Sequence, residues 1–187
     1  NPLKTPEHIA PVWYFTPFYT VLRAVTLSPF MGTLAMFGAI AALFALPFLD
    51  RNPIKSWRYR TTAHMLNLAI FAAVFIILGY LGVKSVSPEY KEMGVRMTEI
   101  YFLFFAVIAI HSKTNTSRYI TWFVILVLTV LFIDWYRYNG EDPITAAQIK
   151  WQWVWPIGYL VITLLIPAFV KSWNTEGTVP ERVTYEH

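Results

Sequence analysis

From Phe30 to Leu49 the chain runs for twenty residues without a charged side chain. A helix of that length, rising about 1.5 Å per residue, reaches roughly 30 Å, the thickness of the hydrocarbon core of a bilayer. Four more apolar runs follow: Ala63 to Val83, about Met97 to Ile110, Tyr119 to Ile133, and Trp153 to Val170. Composition agrees with them. Hydrophobic residues make up 56% of the 187 positions, charged residues only 14%, and the mean hydropathy is +0.46. A soluble domain carries about 25% charged residues, so this chain lacks the polar surface to cover itself in water. The reading is an all-α integral membrane helical bundle of about five transmembrane helices.

The runs differ in detail. In the first, Ala35, Gly38, Ala39 and Ala42 fall on one face, which lets a neighbouring helix approach closely. The third is short and contains Glu99, so it spans only by borrowing Met93 to Arg96 or by snorkelling at its ends. The fifth holds Pro156 and Pro167, which predict a kink. Trp and Tyr cluster at run ends (Trp57, Tyr59, Tyr119, Trp135, Tyr136 and Trp153 among them), as in an interfacial aromatic belt.

The short loops set an orientation. Asp50 to Thr62 carries Arg51, Lys55, Arg58 and Arg60 against one acid, and His111 to Arg118 carries Lys113 and Arg118. Basic short loops favour the cytoplasmic side. That places Val83 to Arg96 and Asp134 to Gln152 outside, the opening stretch outside, and the tail from Lys171 inside. The net charge of +4 is explained by such loops, and no basic run with interleaved aromatics points to nucleic acid.

Before the first run lies a stretch of another kind. Pro2, Pro6, Pro11 and Pro17 recur every four to six residues, so no long helix passes through it. Yet it carries Trp13, Tyr14, Phe15, Phe18 and Tyr19. A segment too broken to span and too apolar for water belongs at the membrane boundary or against protein, here as a loop with a short amphipathic helix. The chain opens with Asn and no signal-peptide pattern, which reads either as a processed chain or, the favoured reading, as the C-terminal piece of something longer.

Residues with metal or acid–base chemistry are few. The absence of cysteine excludes a disulfide scaffold and a thiolate metal site. His8 and His187 are remote from the apolar runs; His64 and His111 adjoin them beside basic loops, where interfacial histidines are at home. No metal site and no haem ligation by this chain are expected. Glu89 and Glu92 read as a solvated face of the outer loop. Asn115-Thr116-Ser117 has the form of a glycosylation acceptor but falls on the inner side. Glu99, the one acid inside an apolar run, leaves two uses open: an interfacial carboxylate, or a proton or partner site.

A specific pattern begins in the opening stretch. Asn1-Pro2-Leu3, Thr5-Pro6, His8-Ile9, Pro11-Val12-Trp13-Tyr14, Pro17-Phe18-Tyr19 and Leu22-Arg23 occur in order, followed by Gly32, Met36-Phe37 and Leu46-Pro47-Phe48-Leu49-Asp50-Arg51. Together they resemble the quinol-oxidation loop and next membrane helix of the cytochrome b family. Val179-Pro180-Glu181-Arg182-Val183 resembles the ending of some proteobacterial members. The resemblance is carried by residues 1–51, thins towards residue 110, and has no counterpart over 112–170.

The resemblance implies the C-terminal part of cytochrome b in a respiratory quinol:cytochrome c oxidoreductase that couples electron transfer to proton release. Its N-terminal half, with the b-type haems, would be a separate partner. The Rieske iron–sulfur protein, a membrane-anchored c-type cytochrome and membrane lipid would complete a dimeric complex in the bacterial inner membrane. The opening loop would be periplasmic and the C-terminus cytoplasmic. Pro11, Val12, Trp13, Tyr14, Phe18 and Tyr19 would line the ubiquinol pocket, with Met36 and Phe37 behind them. Arg23, Asp50 and Arg51 would be structural.

Two departures matter. The family's usual tetrapeptide has Glu where this chain has Val12, and an aliphatic side chain binds no proton. Either that carboxylate is dispensable or another group replaces it; Glu7 and His8 are the nearest titratable candidates, with Tyr19 supplying a hydroxyl, and Glu7 reads as an exit-path base or as a solvated loop acid. The second departure is the added helix pair. The implied organisation is a loop and short helix over 1–28, three family-like helices over 29–111, an added pair over 112–173, and a tail over 174–187. Two alternatives stand beside it: a non-catalytic membrane scaffold derived from the same family, and a separately encoded subunit of a plastoquinol-reductase-like complex.

Overall fold

The computed structural model describes residues 11–25, 28–54, 56–85, 87–138 and 150–178. The described chain is helical: α1 (Thr16–Ala24), α2 (Pro29–Leu49), α3 (Thr62–Val83), α4 (Pro88–Lys113), α5 (Tyr119–Tyr138) and α6 (Val154–Phe169). Four of these, α2 to α5, are long and apolar enough to cross a membrane. α2 and α3 coincide with the first two uncharged runs, because nothing in those runs competes with helix in lipid. Ser28 caps α2 and Ser87 caps α4, each hydroxyl accepting a first-turn N–H at 3.2 Å with proline at the helix start.

α4 is the centre of the bundle: 72% of its most apolar window is buried, against 11% for α2 and 17% for α5. Phe71 of α3 stacks on Phe104 of α4 at 3.9 Å between centroids. Tyr101 of α4 donates its hydroxyl to the Ala39 carbonyl of α2 at 2.7 Å, a reach that the small side chain of Ala39 permits. Ala35, Ala39 and Ala42 thus face the core, while a side chain on Gly38 would meet nothing within 4 Å.

α4 also corrects the expected outer loop. The helix begins at Pro88, so Glu89 and Glu92 stand on it. Glu89 is exposed in the first turn, where a negative charge complements the helix dipole. Glu92 is buried, not solvated, because two arginines surround it.

The fifth run forms a broken helix of sixteen residues, α6, shorter than the other four. Its middle, Val161–Leu165, is a π turn set just before Pro167. Proline lacks the N–H that would bond the carbonyl four residues back, that of Thr163. His111 of α4 meets that carbonyl instead, Nε2 to O at 2.9 Å. The Tyr159 hydroxyl donates to Asn67 Oδ1, tying α6 to α3.

The end of the bundle opposite α1 is closed by polar bonds. Arg60 Nη2 and Nη1 reach the two Asp50 oxygens at 2.6 and 3.0 Å, and Ser112 Oγ donates to Asp50 Oδ1 at 3.3 Å. Ser112 Oγ also accepts from the Arg51 backbone at 3.2 Å. The segment after α6 folds back here: Gly177 N donates to Tyr59 O at 2.9 Å and Asn52 Nδ2 to Glu176 Oε1 at 2.9 Å. Burial alone would raise the Asp50 carboxyl, but the Arg60 bonds and charge and the Asn52 N–H outweigh it and hold it below 3.8. A lowered carboxyl adds stability above its unfolded value and loses it as pH falls through the folded one. We therefore expect Asp50→Asn to lower thermal stability at pH 7 and the gap from wild type to close as pH is taken below about 4. A gap independent of pH would show that the Asp50 charge is not what matters.

Candidate functional site

The opening loop is built from a turn and a short helix. Phe15 N donates to Val12 O at 2.8 Å, and the Thr16 hydroxyl to Trp13 O at 2.7 Å, which winds residues 12–16 into the start of α1. Pro17, in the first turn of α1, lacks only an N–H the helix does not use. Thr16, Pro17, Thr20, Val21 and Ala24 are buried as one face of α1.

That face lies on α3 and α4, and Gly82 allows the approach to α3, whereas at Gly79 a Cβ would make only ordinary contact. A Cβ on Gly82 would stand 2.4 Å from Thr16 O, and one on Gly79 3.6 Å from Pro17. The Thr20 hydroxyl then donates to Leu78 O at 2.7 Å. Arg23 Nη1 donates to Lys84 O at the C-terminal cap of α3, 3.2 Å, while its guanidinium lies 5.4 Å from the Tyr19 ring centre. Gly32 lets α2 leave close to α1, since a Cβ there would meet Leu22 O at 2.8 Å.

The rest of the loop faces outward. Trp13 is 83% exposed, and Val12, Tyr14 and Phe37 are exposed as well. Trp13 and Tyr14 meet edge to face at 5.8 Å. Phe18 turns inward against Phe75 at 5.9 Å, and Pro11, Tyr19 and Met36 are half-buried. The structure thus brings Phe18, Tyr19 and Arg23 onto one anchored helix, and leaves Val12, Trp13, Tyr14 and Phe37 as apolar surface for something outside the chain to cover. Glu7 and His8 lie outside the described residues.

A second constellation at the same end is absent from the sequence reading. Arg96 of α4 is buried and its Nη1 reaches Asp134 of α5 at 2.7 and 2.8 Å and Glu99 at 3.0 and 3.2 Å. Its Nη2 reaches Glu92 at 3.1 Å, and Arg137 Nη2 reaches the other Glu92 oxygen at 2.8 Å. Spacings of four and three residues along α4 hint at the Glu92-Arg96-Glu99 series, but the α5 partners come only from packing. Glu99 and Arg137 also line a mostly apolar groove of about 500 Å³ between the end of α1, α4 and α5.

At the opposite end, His64 and His111 line a polar cavity of about 130 Å³. The His64 ring nitrogens lie 3.3 and 3.4 Å from Arg60 Nη1, and His111 stacks beside Tyr119 at 5.2 Å. Among the described residues, no group of three or more His, Cys, Asp or Glu is placed to hold a metal.

Residues 1–103 match the family model described as Cytochrome b(C-terminal)/b6/petD. Cytochrome b of Allochromatium vinosum is 44% identical over 121 residues, covering 63% of this chain and 29% of that protein. Cytochrome b of Rickettsia prowazekii is 45% identical over 108 residues, covering 58% of this chain and 27% of that protein. A chain of a structure described as a hyperthermophilic respiratory Complex III superposes with a TM-score of 0.57 and 38% identity, over 60% of this chain and 28% of that one. This chain spans less than a third of the length of each of these relatives. The family match ends within α4, so α5 and α6 lie beyond it.

Proposed function

Because the chain belongs to the family of cytochrome b C-terminal regions, we propose that it forms one wall of the quinol-oxidation site of a quinol:cytochrome c oxidoreductase. The observation that supports this most directly is the exposed Val12-Trp13-Tyr14 edge, held out from a helix that is fixed to α3 by Thr20 and Arg23. A quinone ring takes apolar and aromatic walls with few polar groups, and this edge has that character. Tyr19, half-buried on α1, carries a hydroxyl that would serve the same pocket. The rest of the pocket would come from the N-terminal half of cytochrome b, in a complex of the inner membrane with the loop on its periplasmic side.

The residues described here do not fit a haem. A bis-imidazole pair needs two ring nitrogens facing one iron from opposite sides. His64 instead lies against Arg60, and His111 Nε2 against Thr163 O. The b-type haems of the proposed complex belong to the N-terminal half, and no step is derived through them for this chain.

In the proposed reaction a bound ubiquinol would be oxidised, its two electrons taken up by the partner subunits, and two protons would leave outward. This chain would orient the ring and exclude water with Trp13, Tyr14 and Phe37, over Phe18 packed behind them against Phe75. Val12 holds no proton, and we assign the role of exit-path base to Glu7. General acid–base groups contribute roughly 10²–10⁴-fold. Glu7→Gln in the assembled complex is expected to lower inhibitor-sensitive quinol oxidation by at least ~10-fold and to change its pH profile. An unaltered profile removes Glu7 from the path. If the chain purifies from native membranes without b-type haem and without turnover, the quinol-site reading itself falls and the scaffold reading replaces it.

A further inference from the structure

The network between α4 and α5 has more acid than one guanidinium can serve. Glu99 and Asp134 turn all four carboxylate oxygens to a single nitrogen, Arg96 Nη1, at 2.7 to 3.2 Å. That nitrogen carries two hydrogens. The other terminal nitrogen of Arg96 is engaged by Glu92 at 3.1 Å, and Glu92 has Arg137 as a second partner. Glu99 and Asp134 have no second hydrogen-bonded cation among the described residues. Both side chains are nearly buried, 11% and 12% exposed, within helices long enough to span a membrane.

Two carboxylates that share one site in a low-dielectric interior do not both stay ionised. We propose that Glu99 and Asp134 form a proton-binding site that holds one proton between them at neutral pH. One carboxylate binds H⁺ and becomes a carboxylic acid, whose O–H is shared with the other, while Arg96 stays charged and serves both. Among the described residues, the charged and titratable groups around the pair are Glu92 and Arg96 on α4 and Arg137 and Tyr136 on α5, and the end of α1 lines the groove with Ala24 and Val25. Of the pair, Glu99 lines the 500 Å³ groove. The proton is therefore exchanged through Glu99 with water or a hydrogen-bonding headgroup in the groove. The site lies beyond the quinol-loop residues and does not rest on their assignment.

The test is infrared spectroscopy of the whole complex in hydrated membranes, reading the carbonyl stretch of buried carboxylic acids. A band from this site is expected at neutral pH in wild type. It should be lost in Glu99→Gln and equally in Asp134→Asn, because either change leaves one carboxylate alone with Arg96. Carboxyl-¹³C labelling of Glu and Asp in the wild type should shift the band, and this arm needs no variant to fold. Retention of the band in both variants, its loss in only one, or the absence of any label-sensitive band in wild type would each overturn the shared site.

Discussion

Gly82→Ala is expected to displace the opening loop from the bundle. The added Cβ would lie 2.4 Å from Thr16 O and 2.9 Å from Thr16 Cβ, distances that real Cβ atoms essentially never show. The nearest atoms all belong to Thr16, two of them backbone and the third its Cβ, so no flexible side-chain end can yield. α1 must lift from α3, which strains the bonds from Thr20 to Leu78 O and from Arg23 to Lys84 O. Overpacking of this kind costs about 1–3 kcal/mol, occasionally more. If the Trp13–Tyr14 edge lines the quinol pocket, a shift of about 1 Å there lowers turnover roughly 100-fold. Gly38→Ala is the matched control. It too adds one methyl to an apolar helix, but with nothing within 4 Å, and is expected to be neutral or slightly stabilising. Thermal unfolding of the two variants in native membranes, with inhibitor-sensitive quinol oxidation alongside, decides the matter. Equal behaviour of G82A and G38A in both readouts would mean that α1 is not held by this contact.

That contrast between two glycines marks where sequence reading reaches its limit. Both stand in uncharged runs, and both look like small residues that invite a neighbour. Which of them has one depends on the docking of α1, a long-range fact. Within single segments the reading travels well. The run from Phe30 to Leu49 becomes α2 and that from Ala63 to Val83 becomes α3, since a long uncharged run in lipid has few alternatives to helix. Among the described residues of the opening stretch, helix is confined to the nine residues of α1, with Pro17 in its first turn.

The third run shows the opposite case. Arg96 interrupts its hydropathy, so the segment before Met97 reads as a loop with solvated acids. The structure continues helix back to Pro88 because Arg96 and Glu92 are neutralised by partners, among them Asp134, thirty-eight residues further on. A charge that ends an apolar run in sequence is, here, what joins α4 to α5. Likewise Pro167 signals a break in the last helix, but only packing shows that His111 takes up the carbonyl beside it. For the candidate site, the loop motifs are visible as a spaced series, whereas the surface they present is defined by which side chains α1 turns inward.

Arg96→Met is expected to be the most damaging single change in the bundle. Met matches much of the arginine stem but leaves Glu99 and Asp134 facing each other with their shared nitrogen gone, and takes one of its arginines from Glu92. Removing one partner from a buried ionic network costs about 3–5 kcal/mol, because the remaining charges stay desolvated. The loss should fall on the α4–α5 contact, so protease cleavage near the Thr116–Arg118 turn should appear before the rest of the bundle unfolds. Arg96→Lys should recover little, since one ammonium cannot reproduce the fork that meets three carboxylates. The triple variant Arg96→Met, Glu99→Gln, Asp134→Asn should recover most of the stability, to within about 1 kcal/mol, as replacement of whole buried pairs by neutral groups is often tolerated. Denaturant titration of the four proteins in mild detergent separates these outcomes. If R96M unfolds like wild type, the network contributes nothing to holding α5. If R96M falls and the triple variant falls equally, the arginine acts through its packing and not through its charge.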